Sequence, residues 1–403
     1  MVIPKGWKDL KRFQKLSNKY FKSKGYKDDL PKWEIREDGY CLRNETLRCD
    51  LVFNDNEIFN HSLYFDKCTF NKTFSEYNDH KHRLHFLNCT FTDFFVFKHS
   101  HFGKGVYFKR CTFISEQVLI YLCDFDDQLV LCEIEVNGDI LFFYTQINDF
   151  QLVKIEKYKE TEKKDKGTFT IFGLDSRESA RVLFLDCKFE TTFENIFLLD
   201  SNMENAEFIG VEWHKRKKRR FRIGDEDKKI DTPEFFYSDS HLIRFELKFE
   251  KEINKGHIEE VENLYTQLAS SYARSSMLPM SGKFYISKME MRRKRKKNFF
   301  TRNLFSLEAL YKWFSNYGES ILRPLLISLL IFVVCSIILS ISGKGYTSLL
   351  EYFCRNFSLL TGTLKVEASA ANIILVTIGF ERISIISFIG LSLLAIKRRF
   401  RRE

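Results

Sequence analysis

The chain has 403 residues, enough for two or three domains, and a formal charge of +10. The excess is local, in segments 214–220 and 292–297 and at the C-terminus. Basic clusters beside apolar stretches are explained more simply by anionic lipid than by nucleic acid, so no nucleic-acid partner is expected. There is no Walker A loop, no HExxH and no GxSxG, which excludes the chemistries those motifs perform. With no other catalytic constellation in view, neither enzymatic activity nor a cofactor is expected.

Met1 to Leu30 is charged and lacks a continuous apolar core, so no signal peptide is expected. Trp7 to Tyr26 has helical apolar spacing and is read as a cap within an N-terminal segment, 1–39. A six-residue phrase then recurs: apolar, two variable residues, Cys, one variable residue, apolar. It runs Phe65 to Phe70, Phe86 to Phe91, Phe108 to Phe113, Ile120 to Phe125, Leu129 to Ile134 and Phe184 to Phe189, with a weaker copy around Cys49. Cys49, Cys68, Cys89 and Cys111 step by 19, 21 and 22 residues.

A five-residue step nested in a step near twenty is what a four-sided coil of β-structure requires. The large apolar residue points inward, and a small residue two positions earlier fills the space where bulk does not fit. Coils about 4.8 Å apart then stack like residues into ladders. Cys holds the small position, and Ala206 before Phe208 holds it once; the 42 phenylalanines suit the interior. The ten cysteines include no CxxC pair, so buried, reduced thiols are expected rather than disulfides or a structural zinc site.

Over Tyr40 to Trp213 these phrases resemble the pentapeptide-repeat family. The resemblance implies a mainly β fold, a right-handed quadrilateral β-helix, placed here at 40–250. Charged insertions near 154–168 and 214–230 read as solvated loops, and Leu242 to Phe249 as a last coil or closing strand. His80, His82, His85, His99 and His101 cluster; His80 and His101 are one coil step apart and are expected to stack on one face, as exposed turn residues or as a metal site. Exposed turn residues are the simpler reading, so no metal is assigned.

From Ile258 the apolar period becomes helical, with Val261, Leu264, Tyr265 and Leu268 on one face. A break at Pro279 to Gly282 precedes a second helix over Lys283 to Lys297. Leu264 to Leu268 and Phe284 to Arg292 resemble the helical hairpin of pentapeptide-repeat proteins that end in a membrane hairpin, which implies a linker at 251–300. Leu307 to Tyr317 is aromatic and amphipathic. It suits a bilayer interface, or packing against the hairpin.

Two apolar stretches, Pro324 to Ile341 and Ile373 to Ile396, are each long enough, or nearly so, to cross a bilayer. They give spans at about 321–342 and 373–396 within a membrane domain, 301–403. Arg292, Arg293 and Arg295 precede them, and Lys397, Arg398 and Arg399 follow, so both termini are expected on the cytoplasmic side of an inner (cytoplasmic) bacterial membrane.

Tyr346 to Phe357 reads as a re-entrant helix before the turn Ser358 to Thr363. The arrangement resembles the two-helix potassium-channel pore domain. It implies pore-lining roles for Ser358, Thr361, Gly362, Thr363 and Glu381, and a homo-oligomer, a tetramer. The selectivity sequence of that family, Thr-Val-Gly-Tyr-Gly, is here Thr361-Gly362-Thr363-Leu364-Lys365, which leaves a pore of other selectivity or a hairpin that does not conduct. Glu381 either lines a vestibule or pairs between subunits, or it sits with Arg382 at the headgroups. Gly390 is a hinge candidate or a packing glycine.

The expectation is a channel-like membrane protein with a cytoplasmic β-helix as sensor or scaffold. The alternatives are an anchored binding scaffold and a defence effector that depolarises the membrane. The expected partners are the lipid bilayer, copies of the chain, and a protein on the β-helix.

Overall fold

The computed structural model describes residues 7–23, 30–36, 39–48, 51–53, 62–71, 74–76, 79–80, 82–115, 117–158, 167–174, 181–216, 220–238, 241–250, 253–296, 306–318, 320–342, 358 and 372–400. They fall into two compact units, Met1–Ser275 and Ser276–Glu403.

The first unit is a β-solenoid of about six turns. Short parallel strands stack coil on coil into a 15-stranded and a 7-stranded sheet. Register follows the repeat: Phe65 lies opposite Phe86, Phe86 opposite Phe108, and Phe108 opposite Leu131. Inward rings stack in columns, Phe86 on Phe108 at 4.7 Å and Phe70 on Phe91 at 4.7 Å between centroids. Each ring is buried and in contact above and below, where aromatic pairs add about 0.5–1.5 kcal/mol beyond burial.

Cysteine is more than a small apolar filler. Its Sγ–H donates to a carbonyl of the preceding coil: Cys68 to Leu42 O, Cys89 to Phe65 O, Cys111 to Phe86 O and Cys187 to Leu152 O, each at 3.3 Å. Thr145 makes the same contact, to Ile120 O at 3.5 Å. Burial pushes the thiols of Cys89 and Cys187 up, that of Cys187 to about 12, so these two stay protonated donors. The described cysteines form no disulfide.

Corners are made by residues in the left-handed region. Asn44, Lys67, Asn88, Arg110, Glu133, Lys154 and Asp186 all have φ between 52° and 55°. Their N–H groups donate to the next coil, as Lys67 to Leu87 O and Arg110 to Cys132 O. A second series, His99, Leu122 and Tyr144, continues to Gly173 at φ 65°. An added Cβ on Gly173 would lie 2.7 Å from the Tyr144 ring.

Three readings are corrected. The Leu129–Ile134 phrase is out of phase: Cys132 lies opposite Lys109 and is only half-buried, while the buried Ile134 takes the inward position. The stagger arises because the coil from Phe108 to its partner Leu131 spans 23 residues, two more than the 21 that separate Cys111 from Cys132. His80 is opposite Phe102 rather than His101, so the two histidines do not share a register position. The stretch read as a solvated loop at 214–230 instead folds back as Lys215–Arg216 paired antiparallel with Arg220–Phe221, then a 3-10 turn whose Asp225 and Glu226 are buried. The other insertion lies largely outside the described residues. Leu242 to Phe249 belongs to His241–Phe249, which pairs antiparallel with Ile230–Ser238 and closes over Phe197 and Ile230.

Helices cover both ends of the solenoid. At the start, α1 (Trp7–Ser23) stacks Phe13 on Tyr40, and Trp33 Nε1 donates to Ser17 Oγ at 2.8 Å. The four-residue α2 (Phe189–Thr192) sits within the coils. At the far end α3 (Lys255–Arg274) lays a buried face, Val261, Leu264, Tyr265, Leu268 and Tyr272, on the last coil. Trp213 Nε1 donates to Tyr272 Oη at 2.6 Å, and Ser271 Oγ donates to Ala206 O.

The second unit is helical: α4 (Leu278–Lys294), α5 (Leu307–Ser315), α6 (Leu322–Ser342) and α7 (Asn372–Phe400). The break expected at Pro279 to Gly282 moves up to Ser275–Met277. Pro279 instead opens α4, where a missing N–H costs nothing.

Candidate functional site

Two regions present chemistry that folding alone does not explain: one outer face of the solenoid, and the helices of the second unit.

On the solenoid, outward residues stack as the inward ones do. Tyr64, His85 and Tyr107 occupy one register column. Their rings are parallel, 4.5 Å apart between Tyr64 and His85 and 4.6 Å between His85 and Tyr107. The Arg36 guanidinium lies over Tyr64 at 4.6 Å, and Tyr107 Oη donates to Gln128 Oε1 at 3.3 Å. Arg36, Tyr64, His85 and Tyr107 line a cleft of ≈ 540 Å³ together with Lys109 and Val130. A row of flat rings beside cations suits planar or anionic groups on a partner. Sequence reading singled out His85 only as one of a cluster; the signal for the column was the coil-step spacing of Tyr64, His85 and Tyr107.

In the second unit, α4 and α5 meet through charge. Glu290, mostly buried, accepts from Lys312 Nζ at 2.7 Å, Arg293 Nη2 at 2.8 Å and Tyr317 Oη at 3.0 Å. Burial pushes the carboxyl up, but the hydrogen bonds from Lys312 and Arg293 outweigh it and hold it at about 2. Arg292 pairs with Glu308 at 3.6 Å, and Lys296 also binds Glu308. Arg292 and Arg293, expected at the lipid surface, are therefore partly engaged within the protein, whereas Arg295 caps the end of α4. Tyr317 follows α5 with φ 61°, an unusual conformation for a bulky residue, and its hydroxyl is fixed by Glu290.

Helices α6 and α7 pack on each other, and α5 packs on both. Cys335 of α6 and Glu381 of α7 are both buried, and Phe314 of α5 meets Phe388 of α7 at 4.9 Å. Buried positions between them include Ser336 and Ser392. Glu381 is 1 % exposed, inside the single chain. Gly390 has open space around an added Cβ. Lys397 is exposed; Arg398 and Arg399 continue α7. Ser358 is half-buried, while Thr361, Gly362, Thr363 and the re-entrant segment lie outside the described residues.

Among the described residues one helical stretch, Gly379–Lys397, is long and apolar enough to cross a membrane, and Leu322–Ile338 is a shorter apolar one. Compared with family models, curated proteins and solved structures, the chain matches none.

Proposed function

We propose that this is a membrane-embedded protein in which α6 and α7 hold a pentapeptide-type, right-handed quadrilateral β-helix at a lipid surface, where the rod works as a binding scaffold. One observation carries the membrane part. The helix pair turns large apolar side chains outward, with Leu326 62 %, Leu330 61 %, Ile383 70 % and Ile386 70 % exposed. Water penalises such a continuous apolar face, and lipid does not. The basic clusters at both ends favour cytoplasmic termini and a multi-pass hairpin in the inner membrane. The Tyr64–His85–Tyr107 column is the scaffold's recognition face, and its partner is a protein.

A second reading, a channel-like tetramer gated by the rod, is favoured by Glu381. A tether needs no carboxylate in an apolar pair, and intramembrane acids usually serve ions or protons. The experiment has two parts. Alkaline extraction of membranes should leave the chain in the pellet; release into the supernatant would overturn both readings. Ion flux from liposomes is then compared for wild type, Glu381→Ala and Gly362→Trp. Flux sensitive to either change favours the pore, and no flux favours the scaffold.

A further inference from the structure

We infer that the solenoid binds one divalent transition-metal ion, zinc by its ligand chemistry, through His101, Asp124 and Asp126. The site spans two successive coils and is independent of the recognition column and of the helix pair.

The argument begins with register. His101 and Asp124 are Cα partners in parallel strands, as are the inward Phe102 and Phe125, whose rings stack at 4.7 Å. With the phenylalanines fixed inside, alternation along each strand turns His101 and Asp124 outward, side by side. Asp126 is on the same side of its strand as Asp124 by two-residue spacing. A register shift between Phe125 and Gln128 then bends the chain. The bend brings Asp126 Oδ2 to 2.9 Å from His101 Nε2. Asn148, from the following coil, fixes it by donating to the Asp126 carbonyl at 2.5 Å.

The result is three ligand atoms within 4.8 Å of one another. Zinc bonds of about 2.0–2.2 Å to imidazole nitrogen and carboxylate oxygen would draw them together by small side-chain rotations. One imidazole and two carboxylates favour a borderline ion over magnesium or calcium, which take oxygen alone. His101 and Asp126 are 38 % and 40 % exposed on their side chains, so ions and water reach the site and coordination positions remain open.

The test uses the full chain, purified in detergent, reduced and stripped with chelator. Zinc is titrated by calorimetry, and cobalt is added as a spectroscopic probe. The expected result is one saturable zinc per chain, weakened at least tenfold in His101→Ala and in Asp124→Asn. It should be retained in His99→Ala, a neighbouring exposed corner histidine. Cobalt should give the weak visible bands of nitrogen and oxygen ligands without the intense thiolate charge-transfer band. Asp126→Asn, a near-isosteric change, guards against loss through misfolding. The inference is overturned if the wild type takes up no zinc, if uptake is unchanged in His101→Ala and Asp124→Asn, or if cobalt reports thiolate ligation alone.

Discussion

The solenoid and the helix pair are built from similarly apolar stretches and dispose of them in opposite ways. In the solenoid, large side chains such as Phe86 and Phe108 are 1 % exposed and each coil supplies the next with a matching surface. In α6 and α7 the small and polar residues Cys335, Ser336, Glu381 and Ser392 are buried, while large side chains such as Leu326, Leu330, Ile383 and Ile386 face out. The difference teaches that apolar content alone does not fix what is inside. The solenoid is organised against water; under the membrane reading proposed above, the pair is organised for a solvent as apolar as its own surface.

The sharpest test compares one truncation in each region. Phe86→Ala removes a ring stacked on Phe65 and Phe108 and should cost the solenoid about 3–5 kcal/mol in denaturant unfolding. Leu326→Ala, in detergent, should cost about 0.5 kcal/mol or less, because its side chain faces out. A cost at Leu326 comparable to that at Phe86 would mean that the face is covered by protein, and the membrane reading would lose its main support.

Next in size is the far end of the solenoid. Arg220 binds Glu226 through two bonds, at 2.6 and 2.9 Å, and Tyr265 Oη donates to the same carboxylate. Burial pushes the Tyr265 hydroxyl up, so it remains a donor. Arg220→Ala leaves a buried carboxylate with its cation removed and should cost about 3 kcal/mol, measured as a lower unfolding midpoint of the solenoid. Tyr265→Phe should cost about 1–2 kcal/mol.

The two units should also answer pH in opposite senses. Asp225 is buried, which pushes its carboxyl up to about 7 despite the hydrogen bond from Leu198 N–H. The folded solenoid thus holds this proton more tightly than the unfolded chain. The stabilisation is complete below the ordinary aspartate range, near 4, and is lost as pH rises through 7. Glu290 is held down at about 2, so its contribution is present above the ordinary glutamate range and fades as pH falls towards 2. Asp225→Asn should flatten the pH 4–7 limb of solenoid unfolding, and Glu290→Gln the acid limb of the helical unit. Unchanged limbs in both variants would remove this contrast.

The smallest effect is expected at Trp313, which is 68 % exposed on α5. Trp313→Ala should leave stability within about 0.5 kcal/mol of wild type. It should reduce quenching of tryptophan fluorescence by lipid-borne quenchers if α5 lies at the interface. Unchanged quenching would mean that Trp313 faces water rather than lipid.

The Phe–x–x–Cys–x–Phe phrase was enough to read a stacked β-coil, because a side chain pointing into a narrow tube constrains its own size. Strings of apolar residues likewise announced α6 and α7. What the phrase did not show is its own phase errors. Cys132 satisfies the pattern in letters, but a coil two residues longer than that spacing hands its inward position to Ile134. The acidic run at 225–226 looked solvated because burial of charge depends on Arg220, Tyr265 and α3, which come together only in the folded chain. For the same reason His101 was grouped with the wrong histidine. Sequence steps count residues, whereas the neighbour across coils is set by backbone register, which gave it Asp124.

The amino-acid order by itself determined the kind of structure, since side-chain size and period are local properties that each coil and each helix expresses alone. Tertiary structure decided the outer column of rings, the polar seal under α3 and the burial of Glu381. Each of these is a meeting of residues distant along the chain, and its energy exists only once the backbone has fixed their distance and excluded water.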